Sequence, residues 1–424
     1  MRPRRVRKVE TMTSSLVTRA PRDVRLDFFR GLAMFIIFVV HVPGENFWAW
    51  YIPAAYGHSS AVEMFVFCSG FASALAFGGV FLSHGFFVGA GRVVFRIWQV
   101  YWAHIGLFLV ISVLCVLGTE YLGTKDYVQQ LNLTYFFENL RTALPALMSL
   151  RYVPNLFDIL PMYIALLATI PFVMAAQRIH FAVAVALVLA LHVSAWTLGA
   201  NFSAHPDLDI VWFFNPFGWS LCFFAGFFFG RGWIKPPKFG DWRIMAVCIA
   251  ILVVSLPLRQ WQLYRLNPED YWILTPFLGL FTPESKEWFF PERWRSDHHW
   301  LRLLHFLALA YVCLSLLEGR RHWLHNAFVR PIVKVGQQAL ATFLLSLSLG
   351  WSAGMLLDAT GRNALTVSLV NFVCFGIMIG VAYSVSWFKS QPWRRPLPQS
   401  QAAPAPVPHD AAPAASLPRS AAAE

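Results

Sequence analysis

Residues 26–42 read LDFFRGLAMFIIFVVHV. The run is apolar except for Asp27, Arg30 and His41. A bilayer-spanning helix needs roughly 20 largely apolar residues. On insertion scales an Arg or Asp at mid-helix costs roughly 2.5–3.5 kcal/mol, so such a group needs a partner or a watery cavity. At about 100° per residue, the eleven steps from Arg30 to His41 return to within about 20° of the same face. The same steps separate the two by about 16 Å along the axis. Asp27 lies one turn below Arg30, within pairing range. One stripe therefore carries a carboxylate and a guanidinium near one end and an imidazole near the other. The plain reading is a snorkelling Arg30 paired with Asp27, beside a structural His41. The functional reading is a site that runs through the membrane: Arg30 holds an anionic donor, and His41 is a general base.

The remainder of the chain resembles this stretch. Of 424 residues, 57% are hydrophobic and 13% charged, with a mean hydropathy of +0.52. Soluble domains run nearer half apolar and a quarter charged, so an ordinary soluble enzyme and a disordered chain are both excluded. Nine further segments have spanning character: 60–82, 97–118, 155–175, 179–200, 212–230, 243–258, 301–317, 335–357 and 365–387. The expected fold is an all-α polytopic transmembrane helix bundle of about ten spans. The piece at 272–281 is too short to span and reads as re-entrant or interfacial.

With the N-terminus inside, cytoplasmic segments hold 23 Lys and Arg and the outer ones hold 10. This bias places both termini in the cytoplasm. It also explains the net charge of +12 without a nucleic-acid partner, since no nucleic-acid-binding motif is present. The basic start, MRPRRVRKVE, precedes an apolar run but no small-x-small cleavage site, so the first helix is expected to stay. Three regions result: a basic cytoplasmic segment at 1–25, a transmembrane domain at 26–388, and an Ala/Pro-rich cytoplasmic tail at 389–424, expected to be disordered. The six cysteines (68, 115, 222, 248, 313, 374) lie in apolar segments without a CxxC pair, and read as core residues. No metal site is expected.

Polar residues recur at one depth. The second helix returns from the outer side with Glu63 near its start, at the depth of His41, where a carboxylate orients an imidazole. Asp158 opens the fourth segment, with Pro154 and Pro161 bending it. Asn215 opens the sixth and His305 the eighth. His41, Glu63 and Asp158 are thus candidate catalytic residues, and Asn215 and His305 candidate substrate-binding residues. Ser69, Gly70, Ala72, Ser73 and Ala74 form a small-residue stripe suited to close helix packing, with Ser69 as a weaker candidate nucleophile. His104 and His192 read as satisfied core residues. At the cytoplasmic end Arg30, Arg92 and Arg96 form a basic rim suited to phosphates, against the plain reading of positive-inside charge. The Trp-rich outer loop at 259–300 reads either as an interfacial anchor or as a platform for sugar rings.

Several stretches resemble the OpgC family: RDVRLDFFRGLAMFIIFVVHVPG, SAVEMFVFCSGF, LFDILPMY, WFFNPFGW, LRLLHFLALAY and RPIVKVGQQAL. The Arg30–ten residues–His41 spacing and the MFVFCSGF block also look like the wider acyltransferase family 3. The resemblance implies a multi-pass protein of the bacterial inner membrane that binds no cofactor. It implies acyl-CoA, succinyl-CoA or a similar donor, as co-substrate inside, and a periplasmic glucan or other polysaccharide as acceptor outside. It implies His41 as catalytic base and Arg30 as a donor-site residue. Val40 stands where many OpgC-like chains carry Asp, and Gln338 where a His is expected. The rival from another class is a transporter or an accessory protein of polysaccharide export, which polar residues inside bent helices also fit.

Overall fold

The structure, a computed structural model, describes residues 23–264 and 295–394, with side chains described apart from 257–264. Ten helices of 15 residues or more are present among the described residues, and each coincides with one of the ten apolar segments. They are α1 (Val24–Val40), α2 (Ala61–Ser83), α3 (Phe86–Leu122), α7 (Ile159–Ile179), α8 (Phe181–Thr197), α9 (Pro216–Gly230), α10 (Trp242–Tyr264), α11 (Trp300–Glu318), α13 (Ala339–Thr360) and α14 (Ala364–Ser390). Three short helices, α4 (Tyr127–Gln130), α5 (Thr134–Glu138) and α6 (Leu140–Met148), fill the loop after α3, and α12 (Arg330–Gln337) precedes α13. No strand occurs among the described residues; an isolated bridge joins Ser203 and Val211.

Six helices are long and apolar enough to cross a membrane: α2, α3, α7, α11, α13 and α14. Helices α8 and α9 and residues 242–256 of α10 are apolar but shorter. On α14 only 22% of the most apolar window is buried, and Leu365, Leu369, Phe372 and Val373 point outward. An outward apolar surface of this extent has no place in water, so the chain is a multi-pass membrane protein.

Several expectations are corrected. Helix α3 starts at Phe86, not near 97, so Arg92 and Arg96 lie on a helix of 37 residues. The ninth segment is broken: Gln338 leaves helical geometry between α12 and α13 (φ −109°, ψ 31°). Pro161 sits in the first turn of α7, where its missing N–H costs no hydrogen bond; the proline inside that helix is Pro171. The 272–281 piece and nearly all of the Trp-rich loop lie outside the described residues, as do residues 1–22 and 395–424.

Glycines set the closest helix contacts. A Cβ on Gly70 of α2 would stand 1.9 Å from the Phe223 carbonyl oxygen of α9, and one on Gly226 of α9 would stand 2.1 Å from that of Phe67. The small-residue stripe thus serves packing, and Ser69 is buried there. Gly31 of α1 and Gly336 of α12 form a second close pair: their Cβ atoms would meet Ile332 O at 1.9 Å and Asp27 O at 1.8 Å. The six cysteines are free.

Candidate active site

Helix α1 ends at Val40, and His41 caps it. The His41 Nδ1 lies 2.6 Å from the Ile37 carbonyl oxygen. A carbonyl only accepts, so Nδ1 carries the proton and Nε2 is left with its lone pair. Gly350 of α13 brings that helix against the His41 backbone, where a Cβ would lie 2.9 Å from the carbonyl oxygen. Burial holds the imidazole below its usual pKa, and the nearby Arg295 charge adds to this against the Ile37 bond. The ring is therefore neutral at physiological pH, the form a general base requires.

His41 lines a cleft of about 530 Å³ with Asp158, Arg295, Ser60, Trp351 and Phe214 among its walls. Asp158 stands immediately before α7 and is buried. Burial pushes its carboxyl up to about 7, opposed by hydrogen bonding from the backbone at Phe213. No hydrogen bond joins Asp158 to His41; they share the cavity.

Glu63 does not orient His41, contrary to the sequence expectation. It is fully buried. Its Oε2 accepts from the Ser60 amide (2.7 Å) and hydroxyl (2.8 Å), closing a capping box on α2. Its Oε1 accepts from Arg302 Nε (2.6 Å) and pairs with Arg302 Nη2. His298 Nε2 lies 3.9 Å from the same oxygen, but burial pushes that imidazole down to about 3, so it is uncharged. Glu63 and Arg302 thus form a buried ion pair that ties α2 to α11.

Asn215 and His305 are corrected in the same way. Asn215 is a wall fastener: its Nδ2 donates to Asp297 Oδ1 (2.9 Å) and Ala200 O (2.8 Å), and its Oδ1 caps α9 through the Phe217 amide (3.0 Å). His305 Nδ1 accepts from the Ser59 amide (3.3 Å) and, at 2.8 Å, from the Ser59 hydroxyl. Both residues hold the loops that shape the cleft and neither lines it. His192 Nδ1 donates to Gly218 O at 2.9 Å, so it is satisfied as expected. His104 is buried with neither ring nitrogen hydrogen-bonded, so it is not.

Arg295 is the cleft residue the sequence reading missed. The next residue is pinned: Ser296 O accepts from the Asn215 amide (3.1 Å) and from Trp219 Nε1 (3.0 Å). Gly218 allows this, since a Cβ there would lie 2.3 Å from Asp297 O. The signal available was position alone, an arginine in WRSDHHW directly before the apolar run of α11.

At the other end of α1, Asp27 is buried and Arg30 half-buried. Arg92 is exposed on α3, and the half-buried Arg96 donates to Gln99 Oε1 at 3.1 Å. Gln338, at the break after α12, accepts from Lys389 Nζ at 2.7 Å and so joins α14 to this end.

The fold and site define a class: a multi-pass helical membrane protein with an imidazole, a carboxyl group and a guanidinium in one cleft at one end of the bundle. A family model described as OpgC protein matches residues 22–390, and the chain belongs to that family. Membership points to a glucan-modifying membrane protein with a transferase role. No curated protein and no solved structure matches the chain.

Proposed function

We propose that the chain is an O-acyltransferase of the bacterial inner membrane, of the kind found in the wider acyltransferase family 3. It moves an acyl group from cytoplasmic acyl-CoA to a hydroxyl of a periplasmic glucan or similar polysaccharide. The ten long helices all cross the bilayer and both termini are cytoplasmic. The observation that carries the reading is the fixed tautomer of His41 in an open cleft that also contains Asp158.

Arg30, with Arg92 and Arg96, receives the phosphates of the donor at the cytoplasmic end. The acyl-pantetheine arm runs along α1, about 16 Å from Arg30 to His41 at 1.5 Å per residue. In the cleft, His41 Nε2 takes the proton of an acceptor hydroxyl as its oxygen forms a bond to the thioester carbonyl carbon. The carbon–sulfur bond then breaks, and the imidazolium returns the proton to the departing thiolate. The products are an ester and free CoA thiol. Asp158, ionised, offsets the positive charge that His41 carries between these two transfers. Glu63 and Arg302 keep α2 and α11 in register around the cleft. The test is mass spectrometry of periplasmic glucans from cells with and without the gene. The expected result is loss of an acyl mass increment on deletion, restored by the wild-type chain; unchanged glucan masses would overturn the reading.

A further inference from the structure

We infer that Gln130 and Asn155 bind the acceptor, holding hydroxyls of a neutral sugar ring in the cleft that His41 lines. The inference rests on the acyltransferase reading of this cleft and gives it an acceptor subsite. The polar side chains along the walls are His41, Ser60, Gln130, Asn155, Asp158 and Arg295. The Ser60 hydroxyl is taken up by Glu63. Gln130 and Asn155 are the neutral amides, and both are exposed. Among the described residues neither amide side chain has a hydrogen-bond partner. Asn215 and His305, expected to bind substrate, are instead committed to backbone groups behind the walls.

The two amides come from separate loops that are fastened to each other. Gln130 is the last residue of α4, and Asn155 lies shortly before α7. Tyr152 Oη donates to Asn132 O at 2.9 Å, which joins the two loops. The Val153 amide donates to Ala204 O at 2.9 Å, and Trp212 Nε1 donates to Leu150 O at 3.1 Å. Next to Asn155, Leu156 holds a φ of +83°, in the region that favours glycine. Such a residue persists only where its surroundings over-determine it. The loops therefore present the two amides preorganised.

The chemistry names the ligand class. Each amide has an NH2 that donates and a carbonyl oxygen that accepts. Neighbouring sugar hydroxyls do both. Neither amide is charged, so the pair suits a neutral ring. Ile52, Leu131, Leu156 and Phe213 in the same walls supply an apolar surface for its C–H faces. Both amides lie on the loops of the end that holds the cleft, whereas Arg30 and the donor phosphates belong to the opposite end of α1. The acceptor is therefore the substrate they meet.

The test uses full-length protein purified in detergent with succinyl-CoA and glucan, and follows thiol release. In Gln130→Ala and in Asn155→Ala, KM for glucan should rise about threefold to tenfold, the range for a lost neutral hydrogen bond. KM for succinyl-CoA, kcat and the melting midpoint should stay near wild type, as for binding shared by ground and transition states. An unchanged KM for glucan in both variants, with wild-type transfer intact, overturns the inference alone. A rise in KM for succinyl-CoA also overturns it, because the amides would then serve the donor. One measurement needs no variant: permethylated glucan, which keeps the rings and loses the hydroxyls, should compete poorly with glucan on the wild type. Competition equal to that of unmodified glucan would assign recognition to the ring faces and overturn the inference. Wild-type protein without glucan-dependent thiol release overturns the acyltransferase reading and the inference together.

Discussion

The Nδ1–H of His41 donates to the carbonyl oxygen of Ile37 one turn earlier, at 2.6 Å. The last turn of α1 thus sets the tautomer of the ring that faces the cleft, without help from a carboxylate. This differs from a dyad in which an acidic side chain orients the imidazole. It leaves Asp158 free to act on the charge of the ring and not on its orientation.

The first prediction concerns that charge. With burial raising Asp158 to about 7, its carboxyl is protonated below that pH and ionised above it. If the ionised form supports transfer, kcat/KM rises with pH and levels above about 7. His41, lowered from its usual value, adds no further rise above the ordinary imidazole range. In Asp158→Asn the limb near 7 should disappear and the plateau should drop. A variant that keeps the limb would assign it to another group.

Glu63 and Arg302 should behave as a stability pair. Removing one partner of a buried ion pair costs about 3–5 kcal/mol, because the other charge is left uncompensated. Glu63→Ala should therefore lower the thermal midpoint of the detergent-solubilised protein sharply. The double variant Glu63→Gln with Arg302→Met should lie closer to wild type than Glu63→Ala does. If Glu63→Ala melts normally but has lost transfer, Glu63 is chemical after all.

The glycine contacts give a third test. Gly70→Ala and Gly336→Ala each place a methyl group under 2 Å from a backbone carbonyl oxygen. Overpacking of this kind typically costs about 1–3 kcal/mol. Gly79, in the same helix as Gly70, has nothing within 4 Å of its Cβ position. Gly79→Ala should leave the melting midpoint at or slightly above wild type. Equal loss from both α2 variants would contradict the packing described.

At the donor end, Arg30→Gln should raise KM for acyl-CoA and change kcat little, because phosphate binding is lost and the chemistry is remote. Steady-state kinetics against acyl-CoA concentration checks this. A fall in kcat at unchanged KM would place Arg30 elsewhere in the reaction.

The bundle was largely legible in the sequence, because apolar runs of this length have few other uses. Its ten segments recur as the ten long helices, with errors where α3 begins as early as Phe86 and where Gln338 breaks the ninth run. Proximity was legible in part: His41 and Asp158 line one cleft, and Glu63, Asn215 and His305 bond to Ser60, Ser296 and Ser59 beside it. The direction each side chain faces was not. Glu63 turns to Arg302, Asn215 to Asp297 and His305 to Ser59, partners that only the packed bundle supplies. Arg295 lies in a loop, where no periodicity marks a residue, and Arg302 is a charge in the first turn of α11 whose partner Glu63 is supplied only by packing.

The central claim is that His41 is the base for acyl transfer. It is tested most directly by following thiol release from acyl-CoA by purified protein in detergent with glucan present, wild type against His41→Ala. The account predicts glucan-dependent thiol release and ester formation by the wild type. It predicts a loss of at least about a hundredfold in His41→Ala at unchanged melting midpoint, the low end for a general base. Ester formation by His41→Ala at the wild-type rate would contradict it.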